Sequence, residues 1–136
     1  MTDFSQYESI GTDGTSDYYI ADPDILVISP KEGMKDTPQT ARMAVDYQTA
    51  YARKLGKKCS TLIVMNALAS QDAETRRIYG EMTTSGFFFG TALVVNSFLS
   101  RAIASFAIGL SKPQMPIKVF DAVEKGVEWL RTIRPQ

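Results

Sequence analysis

The amino-acid sequence predicts a single α/β domain with a mostly parallel sheet, an antiparallel hairpin at its start and four helices. Two short β-rich runs, residues 16–20 and 25–29, stand on either side of Ala21-Asp22-Pro23-Asp24, which has the chemistry of a tight turn. Beyond them, stretches with apolar residues three and four apart alternate with short continuous apolar runs. That alternation is the pattern of β-α units with right-handed crossovers. Finally, 136 residues with 44% hydrophobic and 22% charged side chains fit one domain with a real core rather than a disordered chain.

Each element follows from its own residues. Residues 1–15 hold Gly11, Asp13, Gly14 and few apolar side chains, and are expected to be a flexible acidic tail that ends in a turn before a domain spanning 16–136. Asp36 or Thr37 can cap the first helix and Pro38 suits its first turn. Ala44, Tyr47, Tyr51 and Leu55 then recur at helical spacing until Gly56. Residues 61–65 form a β-branched apolar run suited to a central strand. Ser70, Asp72 and Glu74 suit the first turn of a second helix that ends near Gly80 or Thr83. Residues 91–95 read as another buried strand, 97–110 as a third helix, and 117–120 as a last strand after Lys112-Pro113-Gln114-Met115-Pro116. Asp121 is expected to cap the final helix, which buries Val123, Val127, Leu130 and Trp129. If the parallel strands add in one direction, right-handedness places successive crossover helices on one face.

Composition excludes several chemistries. The chain has no histidine and one cysteine, so it has no Ser-His-Asp or Cys-His nucleophile, no mixed zinc site and no internal disulfide. Its zero net charge is unevenly spread. Asp3, Glu8, Asp13, Asp17, Asp22 and Asp24 precede the first base, which leaves nine acids against fifteen bases in the remainder. The bases form no dense stripe with interleaved aromatics, and the cluster at 53–58 reads as a helix C-terminus, so nucleic acid is not an expected partner. No basic segment followed by an apolar stretch opens the chain, and the expected address is cytoplasmic.

The most distinctive segment is the least charged. Between Glu81 and Lys112 the one charged residue is Arg101. The stretch is long enough to span a bilayer, but Asn96, Ser97, Ser100, Arg101 and Ser105 interrupt it and no transmembrane segment is expected. In the third helix Leu99, Ile103, Phe106 and Leu110 form the expected core stripe, while Phe98, Ala102, Ala107 and Ile108 leave only a narrow polar side. Such a helix is expected to be covered on more than one side, by a second copy in a homodimer or by neighbouring elements. The alternative is an apolar-ligand or lipid surface built from Phe87, Phe88, Phe89, Phe98 and Ile108.

Catalytic, metal and cofactor sites are not expected. Asp121, Glu124 and Glu128 share a helix face that reads as solvated. Residues 86–90 have three phenylalanines where a phosphate loop would need its Lys-Ser/Thr, and no Gly-x-Ser-x-Gly or calcium loop is present. Cys59, beside Lys57 and Lys58, reads as a structural thiol. The chain is therefore expected to be a binding protein rather than an enzyme. Its site is expected at the carboxyl ends of the parallel strands, on Asn66 and Ser70, on Asn96, Ser97 and Arg101, and at Asp121. Two of these places open helices, where an anion such as a phosphorylated Ser70 is favoured, although Ser70 and Ser97 also serve as plain N-caps.

The order of elements, with Leu99-Ser100-Arg101-Ala102-Ile103-Ala104-Ser105-Phe106, the Lys112-Pro113-Gln114-Met115-Pro116 loop and Glu128-Trp129-Leu130, resembles the SpoIIAA-like (STAS) fold. It is most similar to an uncharacterised bacterial STAS-like branch. The resemblance covers about residues 16–133. It implies a regulatory protein of the anti-anti-sigma kind, with a protein partner and a serine switch opening the helix after the central strand, nearest to Ser70. Asn66 and Ser70-Gln71 stand where phosphorylated members have an acidic residue and a Ser-Gly pair. The lipid-binding branch of this superfamily implies the apolar-ligand alternative.

Overall fold

The computed structural model describes residues 4–65, 72–111 and 113–135. Six strands, β1 (Glu8–Thr12), β2 (Ser16–Asp22), β3 (Ile25–Pro30), β4 (Cys59–Met65), β5 (Phe88–Val95) and β6 (Ile117–Phe120), form one sheet in the order of the chain. β1, β2 and β3 pair antiparallel, and β3 to β6 pair parallel. Helices α1 (Pro38–Leu55), α2 (Ala73–Thr84) and α3 (Phe98–Ser111) are the crossovers, and α4 (Val123–Ile133) follows the last strand.

The sheet begins earlier than the sequence predicts. Residues 8–12, read as part of a flexible tail, form an edge strand against β2. β1 offers a weak sequence signal because it is mostly exposed, with Ile10 as its one aliphatic side chain, and its register shifts at Gly11, where φ is 133°. The turn after it is tied by Asp13, whose carboxylate accepts the Thr15 and Ser16 N–H groups at 2.8 Å and the buried Tyr18 hydroxyl at 2.7 Å. These bonds hold the Asp13 carboxyl below its ordinary range against the opposing effect of burial.

Helix ends follow their caps. The Thr37 hydroxyl accepts the Thr40 N–H, the Thr40 hydroxyl accepts the Thr37 N–H, and Gly56 closes α1 in the left-handed region at φ 78°. Asp72 caps α2 by accepting the Thr75 N–H at 2.8 Å. α4 departs from expectation, since Ala122 is its N-cap and no side chain caps it. Asp121 sits one residue too early and bonds Arg101 and Lys125 instead.

Strand residues alternate between two cores. Ile25, Val27, Leu62, Val64, Phe89, Ala92 and Val94 face α4 through Val123, Val127 and Leu130. Leu26, Cys59 and Phe88 face α1 and α2 through Ala41, Val45, Ala52, Ile78 and Met82. The right-handed crossover rule puts α3 on the α1 and α2 side. Burial pushes the Cys59 thiol up to about 12, so the thiolate is absent near neutral pH.

The expected core stripe of α3 is the largest correction. Leu99, Ile103 and Phe106 are 70, 48 and 70% exposed, Phe98 is 79% exposed, and Ala104 is the buried residue among the described side chains of the helix. The sheet takes the small-residue side of α3, with Ser100 partly covered and Ala104 buried, while the large apolar side faces outward.

Candidate functional site

The carboxyl ends of β5 and β6 and the start of α3 meet where function gathers in open parallel sheets. Asn96 leaves β5 exposed. Ser97, also exposed, opens α3, and its hydroxyl accepts the Ser100 N–H at 3.0 Å. That bond is the N-cap the sequence predicts. Arg101, one turn on, reaches Asp121 after β6 at 2.9 Å, and its guanidinium lies 5.4 Å from the Phe98 ring centre. Lys125 holds the other Asp121 oxygen at 2.9 Å. The Lys125 hydrogen bond, then the Arg101 charge, keeps the Asp121 carboxyl below its usual range. Arg101 is thus held in an intrachain ion pair. Sequence reading missed this pair because its partners lie twenty positions apart on different elements, with no spacing rule to connect them.

The structure brings Asn96, Ser97, Arg101 and Asp121 together. Asn66 and Ser70 lie outside the described residues. The proposed phenylalanine surface divides. Phe88 and Phe89 are buried on opposite faces of the sheet, because neighbouring strand residues alternate, and neither belongs to a surface. Phe87 is half-buried under the Arg53 guanidinium at 5.2 Å, Ile108 is half-buried, and Phe98 is open. Of that surface Phe98 stands open, and the exposed apolar side is instead the outer face of α3: Phe98, Leu99, Ala102, Ile103 and Phe106. Helical spacing alone places Leu99, Ile103 and Phe106 in the core, and their exposure appears only once the helix is seated.

A concavity of about 360 Å³ lies between α1 and α2 and is lined by residues that include Arg42, Arg53, Asp46 and Glu81. Three of these charges pair within it: Arg42 donates two bonds to Glu81, at 2.9 and 2.7 Å, and lies 3.8 Å from Asp46. Among the described residues no group of histidine, cysteine and carboxylate side chains could hold a metal ion, and no helix is long and apolar enough to cross a membrane.

Comparison with solved structures finds a similar chain in the crystal structure, at 2.25 Å resolution, of an uncharacterized DUF3478-family protein with a SpoIIAA-like fold from Shewanella loihica PV-4. Identity is 12%, the TM-score is 0.61, and the match covers 96% of this chain and 98% of that one. At this identity the likeness establishes the SpoIIAA-like fold, which agrees with the strand order, hairpin and four helices described above. No curated protein matches the chain. A family model described as a domain of unknown function, DUF7793, matches residues 18–134, which run from within β2 through β6 and include all four helices, and the chain belongs to that family.

Proposed function

We propose that this protein is a non-enzymatic regulatory module that binds a protein partner through the outer face of α3 and the adjoining carboxyl edge of the sheet. The observation that carries the reading is the exposure of Phe98, Leu99, Ile103 and Phe106 on one helix. Scattered exposed apolar residues need no explanation, but a contiguous apolar face of this size favours an interaction site. The charges at the same edge support binding over turnover. A general acid needs a raised pKa, whereas Asp121 is held ionised by Lys125 and Arg101.

A photo-crosslinking amino acid at position 99 is expected to capture a discrete partner in cells, and the same group at exposed Lys31 is expected to capture none. Identical adduct patterns from both positions would sink the reading. For the switch version, Ser70→Asp should change the yield of the position 99 adduct, and an unchanged yield would remove Ser70 from the mechanism. A lipid or membrane surface is the second reading, favoured by the two exposed phenylalanines at either end of the α3 face. It predicts that the chain sediments with liposomes and that Phe98→Ser and Phe106→Ser abolish sedimentation. Absence of sedimentation with both neutral and anionic vesicles counts against it.

A further inference from the structure

We infer that the outer face of α3 is a self-docking surface, on which a second copy of this chain packs its own α3 antiparallel about a two-fold axis near Ala102. The inference rests on reading this face as an interaction surface, and it specifies the occupant.

Helix geometry defines the face. At 100° per residue, Phe98, Ala102, Phe106, Leu99 and Ile103 fall in that order across an arc of roughly 140°. Buried Ala104 and partly covered Ser100 lie on the opposite side, towards the sheet. Along the helix, Ala102 is midway between Phe98 and Phe106, so a small side chain stands between the bulky ones. A two-fold axis there sets Phe98 of one copy against Phe106 of the other and leaves the crossing point to Ala102. The arrangement is isologous, so it closes at two copies and leaves no free apolar face.

The area fits. With aromatic side chains of roughly 200 Å² each, the exposed parts of Phe98, Leu99, Ile103 and Phe106 sum to on the order of 500 Å². A standard stable interface buries about 800 Å² per partner, of which roughly 65% is apolar in homodimers, so these four residues provide the apolar centre of one. Charge separates a second copy from a membrane. Helices that lie in the lipid interface carry Lys and Arg on their polar face. The one charge on α3 is Arg101, already compensated by Asp121 within the chain. Two such helices meet without like-charge repulsion, and an anionic bilayer gains little attraction from them.

Sedimentation equilibrium on the full chain tests the inference, with cysteine trapping as an independent measurement. The wild type is expected to run as a concentration-dependent dimer. Phe106→Glu, at an exposed site that leaves the fold intact by circular dichroism, is expected to weaken self-association about tenfold or more. Helix axes about 8–10 Å apart with Cα atoms about 2.3 Å from each axis put the two residues 102 about 4–5 Å apart at the crossing, within disulfide reach. Ala102→Cys should therefore oxidise rapidly to a disulfide-linked dimer while Thr84→Cys, on α2, does not; the buried Cys59 does not compete. A monomeric mass throughout a dilution series, a dimer indifferent to Phe106→Glu, or equal trapping at positions 102 and 84 would overturn the proposal. Liposome binding by a monomeric chain would also overturn it, in favour of lipid. A dimer whose position 99 captures only a second copy of this chain overturns the regulatory reading and upholds this one. A monomer that still captures a partner there does the reverse.

Discussion

Helices α3 and α4 carry nearly the same apolar spacing and use it in opposite ways. In α4, Val123, Val127 and Leu130 point into the sheet and are buried; in α3, Leu99, Ile103 and Phe106 repeat the i, i+4, i+7 pattern and point away from it. The difference lies in what each helix meets. α4 crosses β4, β5 and β6, and glycines clear its path: a Cβ on Gly126 would stand 2.7 Å from Leu62 Cδ1, and one on Gly90 would stand 2.6 Å from Ile133 Cδ1. Among the described residues α3 packs mainly on β5 and the four-residue edge strand β6, and it settles there on its small side chains. Periodicity identifies an apolar stripe, but the width of the surface beneath decides whether the stripe is buried.

The largest effect that could break this contrast is loss of a stripe residue from each helix. Leu130 is fully buried, so Leu130→Ala is expected to cost about 2–5 kcal/mol of unfolding free energy through lost transfer and cavity terms. Leu99→Ala should change it by no more than about 0.5 kcal/mol. Urea unfolding of both in the Phe106→Glu background removes any contribution from self-association. Equal losses would mean that the α3 stripe is buried within the monomer and that the contrast is false.

Glycines provide the next test. Gly126→Ala is expected to destabilise by about 1–3 kcal/mol, because overpacking against Leu62 and Ala92 outweighs the helix-propensity gain of about 1 kcal/mol. A Cβ at Gly109 in α3 meets nothing within 4 Å, so Gly109→Ala is expected to stabilise by up to about 1 kcal/mol. The same signs from chemical denaturation at both positions would show that α4 does not sit tightly on the sheet.

The two helices were also unequally legible in the sequence. The β-α alternation, the hairpin about Pro23, the Thr37 and Gly56 ends of α1 and the inner stripe of α4 are local patterns, and each reappears in the structure. β1 was missed because an exposed edge strand has no buried face to impose alternation. Asp121 was misplaced as a cap because a capping residue is found by its offset from the helix start, which the Ala122 backbone shifts by one. The candidate site was half legible: Asn96, Ser97 and Arg101 were singled out as strand-end residues, but their link to Asp121 is tertiary. The phenylalanine run misled because three aromatics in a row on a strand must split between its two faces.

Acid sharpens the contrast at the far end of α4, where the effect is smaller. Arg131 donates to Asp22 at 3.0 Å and Arg134 at 2.6 Å, and Arg134 also reaches the buried Asp24 at 2.8 Å. The Arg131 hydrogen bond, followed by that of Arg134, lowers the Asp22 carboxyl to about 2 despite its partial burial. Because the folded pKa lies below the unfolded value of about 3.9, the linked stability is fully present above about pH 4 and is lost as pH falls towards 2. Asp22→Asn is expected to lower stability near neutral pH by about 1 kcal/mol or less. The gap from wild type in urea midpoint should close between about pH 4 and 2. A gap that persists unchanged into acid would mean that the clamp does not act through the Asp22 charge.

The smallest expected effect isolates α3 itself. Its one ion pair, Arg101 to Asp121, is partly exposed, and Asp121 retains Lys125 when Arg101 is removed. Such pairs add little to global stability and are screened by salt, so Arg101→Gln is expected to leave the thermal midpoint unchanged within error. Local opening is a more sensitive measure, since helices with few buried contacts exchange amide hydrogens through sub-global fluctuations. Without the pair, α3 loses its tether to the end of β6 and keeps Ala104 as the one buried side chain among those described, so its amides should exchange faster, while those of α4 keep their rates because Val123, Val127 and Leu130 still anchor that helix. Equal acceleration in both helices would show that they open as one cooperative unit, and that the outward stripe of α3 is coupled to the core it does not touch.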